Sequence, residues 1–330
     1  MAAPAAQPLV LPDDLCRLGD AGCLQQLRSD RAALSALLAQ HAELLQRYQH
    51  LLAQDDYRTL SQPSMDEPLA NFIALERAGR LRALQALVLA EEGRSADALL
   101  LLQRDVQQLR GWLARADNLI LKMLLVQVLA GSLDAMAVLH GAGLLPQPAP
   151  QPLLDAAERS LQAPMQREFA LVGNGLLGLL DDPQTAAEMG VLRWQTRWLY
   201  KPQMTVNDSL PGYSQTAAAS RLDTGEVAAA LHATASHEPG LWRRLRNPLG
   251  TILSQVAGPD YNRYLARLHN LNAKLVLFNE LGQPAPLAAN PYWPEQRAGW
   301  DEQRQGYCFS GPREDDRALR CLPWTPPAAL

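Results

Sequence analysis

Cysteine, aromatic residues and surplus charge are all scarce in this chain, and each scarcity excludes a class of protein. Four cysteines in 330 residues are too few for a disulfide-dense scaffold. Their spacing excludes the common thiolate metal sites, because six residues separate Cys16 from Cys23 and twelve separate Cys308 from Cys321. Neither H-E-x-x-H nor G-x-S-x-G occurs, so no zincin and no α/β-hydrolase nucleophile is encoded. The 34 acidic and 30 basic side chains leave a formal charge of −4, with no basic excess for nucleic acid and no polybasic run for an anionic membrane. No stretch approaches ~18 uninterrupted apolar residues, and the opening MAAPAAQPLVLPDD has neither a positive region nor an apolar run of the kind that signals export.

What the chain does have is alanine and leucine, within a hydrophobic content of 48% and with few β-branched runs. That composition predicts a mainly α fold. Leu34, Leu37, Leu38, Leu44, Leu45, Tyr48, Leu51 and Leu52 trace one long amphipathic helix after a cap at Ser29. SQPSMDEP ends it, and a second helix is expected from near Leu69. The turns EEGRSADA and LAGSLDAM, about 38 residues apart, predict helical hairpins with tetratricopeptide-like character.

Punctuation divides the chain. Residues 1–14 read as a linker after a missing anchor or leader, 15–145 as an N-terminal helical half, and PQPAPQP at 146–152 as a Pro-rich linker. Residues 153–285 form a C-terminal helical half, in which Tyr264, Leu268, Leu271, Leu275 and Phe278 mark a helix that stops at Gly282. Residues 200–240, rich in Thr, Ser, Asn and Gly, read as an exposed excursion with a short helix around Glu226 to His232. Residues 286–330 form an extended tail, where GYCFSG and ALRCLPW predict a two-stranded β-hairpin packed by Trp300 and Trp324.

The cysteines read as two local disulfides, Cys16 with Cys23 and Cys308 with Cys321, in an oxidising compartment. Four cysteines allow three connectivities, and reduced buried thiols are the competing reading. GNGLLG spells G-x-G-x-x-G at Gly173, Gly175 and Gly178, but the chain lacks the parallel strands of a dinucleotide fold, so close helix packing explains it better. His232 and His237 lie about 140° apart on a helix and do not converge on a metal. Trp194 and Trp198, one turn apart beside Arg193 and Arg197, form a stripe suited to binding a partner or a sugar ring, with core packing as the rival. Lys122 and Glu168 stand in apolar company; they either meet, line a polar cleft, or reach solvent.

CLQQLRSD leading into LLQRYQHL, then ADNLILKMLLV, MQREFALVGN, YKPQMTVND and NPLGTILSQVAGPDYNRYLARLHNLNAKLVLF, together resemble a group of uncharacterised proteobacterial cell-envelope proteins. Members of that group begin with a membrane-spanning segment followed by a periplasmic helical region, and no activity is carried over from them. The resemblance implies a periplasmic chain tethered to the inner membrane. The expected function is a protein-binding module, a scaffold, assembly factor or inhibitor, whose partner is another envelope protein. No catalytic residue, metal or cofactor is nominated, and membrane contact is expected only through the N-terminal anchor. The alternatives are an envelope hydrolase using carboxylates between the halves, and a small-ligand or lipid carrier.

Overall fold

Three long helices organise the first half. In the computed structural model, which describes residues 11–12, 15–55, 57–64, 66–68, 70–179, 198–232, 240–256 and 260–324, α1 (Cys23–Ser29), α2 (Arg31–Gln40) and α3 (Ala42–Leu52) lead into α4 (Phe72–Glu91), α5 (Ser95–Arg115) and α6 (Leu119–Gly141). Local chemistry sets these boundaries. The Asn71 side chain accepts from Ala74 N, and Asn118 accepts from Ile120 N and Leu121 N, each satisfying helix N–H groups that have no intrahelical partner. Gly93, at φ +82°, makes the left-handed turn between α4 and α5.

α6 is the centre of the molecule. It packs against α4 and α5, and against the second half of the chain. Leu125, Leu129, Leu133, Met136 and Leu139 are fully buried, at about 2 kcal/mol of transfer free energy apiece. By length and mean hydropathy this helix would span a membrane, yet 67% of that stretch lies inside the fold. Where α4 meets it, a Cβ on Gly79 would stand 2.6 Å from Val128 Cγ1. A bare backbone is what permits that approach.

The second half contains α7 (Ala156–Arg159), α8 (Gln162–Gly178), α9 (Pro202–Ala219), α10 (Thr224–His232), α11 (Leu241–Arg246), α12 (Pro248–Val256) and α13 (Asn262–Phe278). α13 runs alongside α6, so that one apolar core extends through both halves. Two of its buried asparagines are partnered: Asn272 Oδ1 accepts from Leu154 N, and Asn270 Oδ1 accepts from Tyr292 Oη and Arg320 Nη1. As expected, α13 is followed by a stop at Gly282, with φ +88°.

The tail forms an antiparallel sheet of β1 (Gly299–Asp301), β2 (Gly306–Cys308) and β3 (Cys321–Pro323), in the order β1-β2-β3. Cys308 stands opposite Cys321, and both disulfides are present, Cys16–Cys23 and Cys308–Cys321. Tyr307 lies edge-on between Trp300 and Trp324, at ring distances of 5.3 and 5.6 Å.

Five expectations are corrected. The long helix after Ser29 is two helices broken at His41, and its cap is Asp30, whose carboxylate accepts from Ala33 N. Ser29 is engaged elsewhere, donating to Gln26 O at the end of α1. The next helix starts at Phe72 rather than near Leu69. LAGSLDAM is not a turn but the interior of α6, where Ser132 bonds back to Val128 O, so the tetratricopeptide-like period is not found. Residues 202–219 are helical, because Pro202 opens the helix and the hydroxyls of Thr205 and Thr216 bond back to Lys201 O and Gly212 O. The hairpin has a third strand. Within the Pro-rich segment, Gln147 donates to Leu281 O, Gln151 N donates to Asn279 Oδ1, and Asn279 Nδ2 donates back to Gln151 O, so the segment is strapped to the end of α13.

Candidate functional site

A cavity of about 350 Å³ opens between the two cystine-clipped ends of the chain. Its floor is made by α4 and α6 with Lys274 of α13; its walls are the loop Cys16–Ala21 on one side and Gln303–Arg304, Asp316–Ala318 and Cys321 on the other. The disulfides therefore hold both rims. At the floor, Asp134 of α6 forms an ion pair with the buried Lys274, and 20% of the Asp134 side chain stays accessible. Burial pushes the Asp134 carboxyl up from its ordinary range; Lys274 opposes the shift and Asp20 adds to it. A Cβ on Gly19 would stand 3.1 Å from Asp134 Cβ, so glycine lets the N-terminal loop close down over this carboxylate.

Charge around the cavity runs against the charge of the whole molecule. Arg17, Arg80, Lys274, Arg304 and Arg317 face Asp20, Glu76, Asp134 and Asp316, five cations against four anions, in a chain of net charge −4. The carboxylates are all engaged. Glu76 accepts from Arg80 Nε at 2.7 Å, Asp316 takes Arg263 and Arg267 at 3.2 and 2.9 Å, and Asp20 accepts from Arg17 N at 3.1 Å. Each carboxylate lining the cavity thus has a cationic or backbone partner.

A second feature lies where α9, α11 and α12 meet. Trp198 is 75% exposed and Trp242 79%, with Leu241, Leu245 and Ile252 also largely exposed. No residue of α11 is buried. The two tryptophan segments are bonded together: Lys201 N donates to Asn247 Oδ1, Asn247 Nδ2 donates to Thr205 Oγ1, and Arg243 pairs with Asp208. The Lys201 ammonium stands 6.0 Å from the centre of the Trp198 ring.

Of the residues singled out in the sequence, Trp198 lies on this surface, whereas Arg193, Trp194, Arg197 and His237 lie outside the described residues. GNGLLG falls inside α8, where a Cβ on Gly173 would stand 3.6 Å from Val206 of α9, which is helix packing rather than a nucleotide turn. Lys122 and Glu168 have different neighbourhoods. Lys122 Nζ is buried and donates to Leu113 O; burial lowers its pKa to about 7 against the opposing charges of Glu158 and Asp155. Glu168 is half-buried on α8, and burial pushes its carboxyl up, with Arg167 opposing and Glu67 adding. Asp134 and Lys274 were missed. The signal that flagged Lys122, one charge in an apolar run, is equally present in LDAMAVL and NAKLVLF. Among the described residues, no group of three or more His, Cys, Asp or Glu side chains is placed to hold a metal.

Comparison with known proteins adds no relative, since no family model, no curated protein and no solved structure matches this chain.

Proposed function

We propose that this protein is a binding module of the bacterial periplasm that docks another envelope protein through the corner formed by Trp198, α11 and α12. The observation that carries this reading is the exposure of Trp198, Leu241, Trp242 and Leu245 on bonded neighbouring segments. Large exposed tryptophans cost solvation free energy unless a partner covers them, and Trp and Arg dominate protein–protein hot spots. The partner that fits has an apolar pocket for a tryptophan. Two disulfides support an oxidising compartment, and the resemblance to envelope proteins favours the periplasm with an N-terminal tether to the inner membrane.

A photo-crosslinking residue placed at Trp242 or Leu245 in cells should give one discrete protein adduct, the same from both positions. Replacing Trp198 by alanine should reduce it, and the probe placed at Arg94 in the α4–α5 turn should not give it. Adducts equal to those from Arg94, or recovery of lipid alone together with sedimentation on anionic vesicles, would reject a protein partner.

A further inference from the structure

We infer that the cavity between the cystine-clipped ends binds a compact organic oxyanion, whose charged group is held by Arg304 and Arg317 at the mouth and whose hydroxyl donates to Asp134 at the floor. The cavity shares no residue with the docking corner, and its volume of about 350 Å³ leaves room for a small organic anion.

Pairing within the cavity identifies the chemistry. The inner charges satisfy one another, Glu76 with Arg80 and Asp134 with Lys274. At the mouth they do not. Arg304 approaches Asp301 only to 3.8 Å and Arg317 approaches Asp316 only to 3.9 Å, both beyond hydrogen-bond reach, and the two side chains are 41% and 48% exposed. Asp316 Oδ2, the oxygen nearest Arg317, already takes Arg263 and Arg267. Two guanidinium forks at one opening are a strong receptor for a carboxylate or phosphate, because each offers parallel charge-assisted donors. The other end of the ligand follows from Asp134. Oδ1 holds Lys274, whose charge removes the attraction for a cationic group, while the accessible part of the carboxylate accepts from a hydroxyl.

Gly131 provides the decisive variant. It lines the cavity from α6, and a Cβ there would meet no atom within 4 Å. Gly131→Leu therefore adds bulk at the cavity lining without removing a charge, and leucine favours the helix over glycine. Titration calorimetry of the full oxidised chain would use sn-glycerol 3-phosphate and D-glycerate, with inorganic phosphate and glycerol as the partial ligands.

At least one organic anion should bind with a Kd below about 1 mM, and at least tenfold more tightly than inorganic phosphate or glycerol. Which of the two binds better separates a phosphate from a carboxylate ligand. Gly131→Leu and the double replacement Arg304→Ala, Arg317→Ala should each weaken it tenfold or more, with the melting temperature retained in Gly131→Leu. Neither organic anion binding below about 1 mM overturns the assignment. So does inorganic phosphate binding as tightly, or binding that survives a folded Gly131→Leu.

Discussion

Leu125, Leu129 and Leu133 of α6 are buried to within 1% of completely, whereas Leu241 and Leu245 of α11 are 72% and 65% exposed, although both helices place leucine at four-residue spacing. The residues are alike; the surroundings differ. α6 has α4, α5 and α13 around it, while α11 leans chiefly on α12. The same half of the chain encloses charges too, Lys122 on α6 and the Arg82–Asp105 pair between α4 and α5. Spacing says that a helix has an apolar face. It does not say whether that face is covered by the chain's own core or left for something else, and here one molecule contains both outcomes.

The contrast is most severely tested by removing a cation from the enclosed layer. Arg82→Ala would leave Asp105 buried without its partner, 3.0 Å away in the native fold. A loss of about 4 kcal/mol in urea unfolding is expected. A loss below ~1 kcal/mol would show that this layer tolerates charge as a surface does.

Next come the clipped ends, which join the layer to the cavity. Replacing Cys308 and Cys321 by serine should cost roughly 3 kcal/mol, and replacing Cys16 and Cys23 slightly less, because the sequence separations are 13 and 7 residues. Equal melting temperatures with and without reductant would contradict both.

A pH series sharpens the same boundary. Lys122 has a folded pKa near 7, below its unfolded value of 10.5. Below pH 7 both states carry the proton, and the fold must enclose an ammonium. Between these values the unfolded chain binds more protons, so stability rises with pH, by about 2 kcal/mol from pH 7 to 9. Lys122→Met should remove that increment, and an identical pH profile in the variant would refute it.

The smallest expected effect belongs to the exposed corner. Trp198→Ala and Trp242→Ala should each change stability by less than ~0.5 kcal/mol while reducing the crosslinked adduct. A cost of ~3 kcal/mol would instead mark these rings as core.

How much of this was legible follows from range. Gly93, Gly282 and the cysteine pairs act over a few residues, and the sequence located all of them. Helix existence was read well for α5 and α13, where the apolar period is strong. The break at His41 was not, because Leu34 to Leu52 keep their period across it. Thr- and Ser-rich residues 202–219 looked like a loop because hydroxyls often compete with helix backbone, yet here they bond back within it. The candidate cavity was invisible for a different reason. Asp134 and Lys274 are 140 residues apart, and no local pattern records that α6 and α13 lie together.

That separation also matters while the chain is being made. α6 leaves the ribosome complete well before α13, and at ordinary elongation rates the interval is roughly 7 to 25 s. During it, a 23-residue helix with the hydropathy of a membrane span has no cover on the face that α13 will occupy. If the chain is exported, translocation machinery meets it as a segment with the hydropathy of a membrane span. Asp134 counters this, since a carboxylate near the middle of such a helix disfavours insertion by on the order of 2 kcal/mol. The same side chain that sits at the floor of the cavity thus lowers the tendency of α6 to leave water before Lys274 pairs with it.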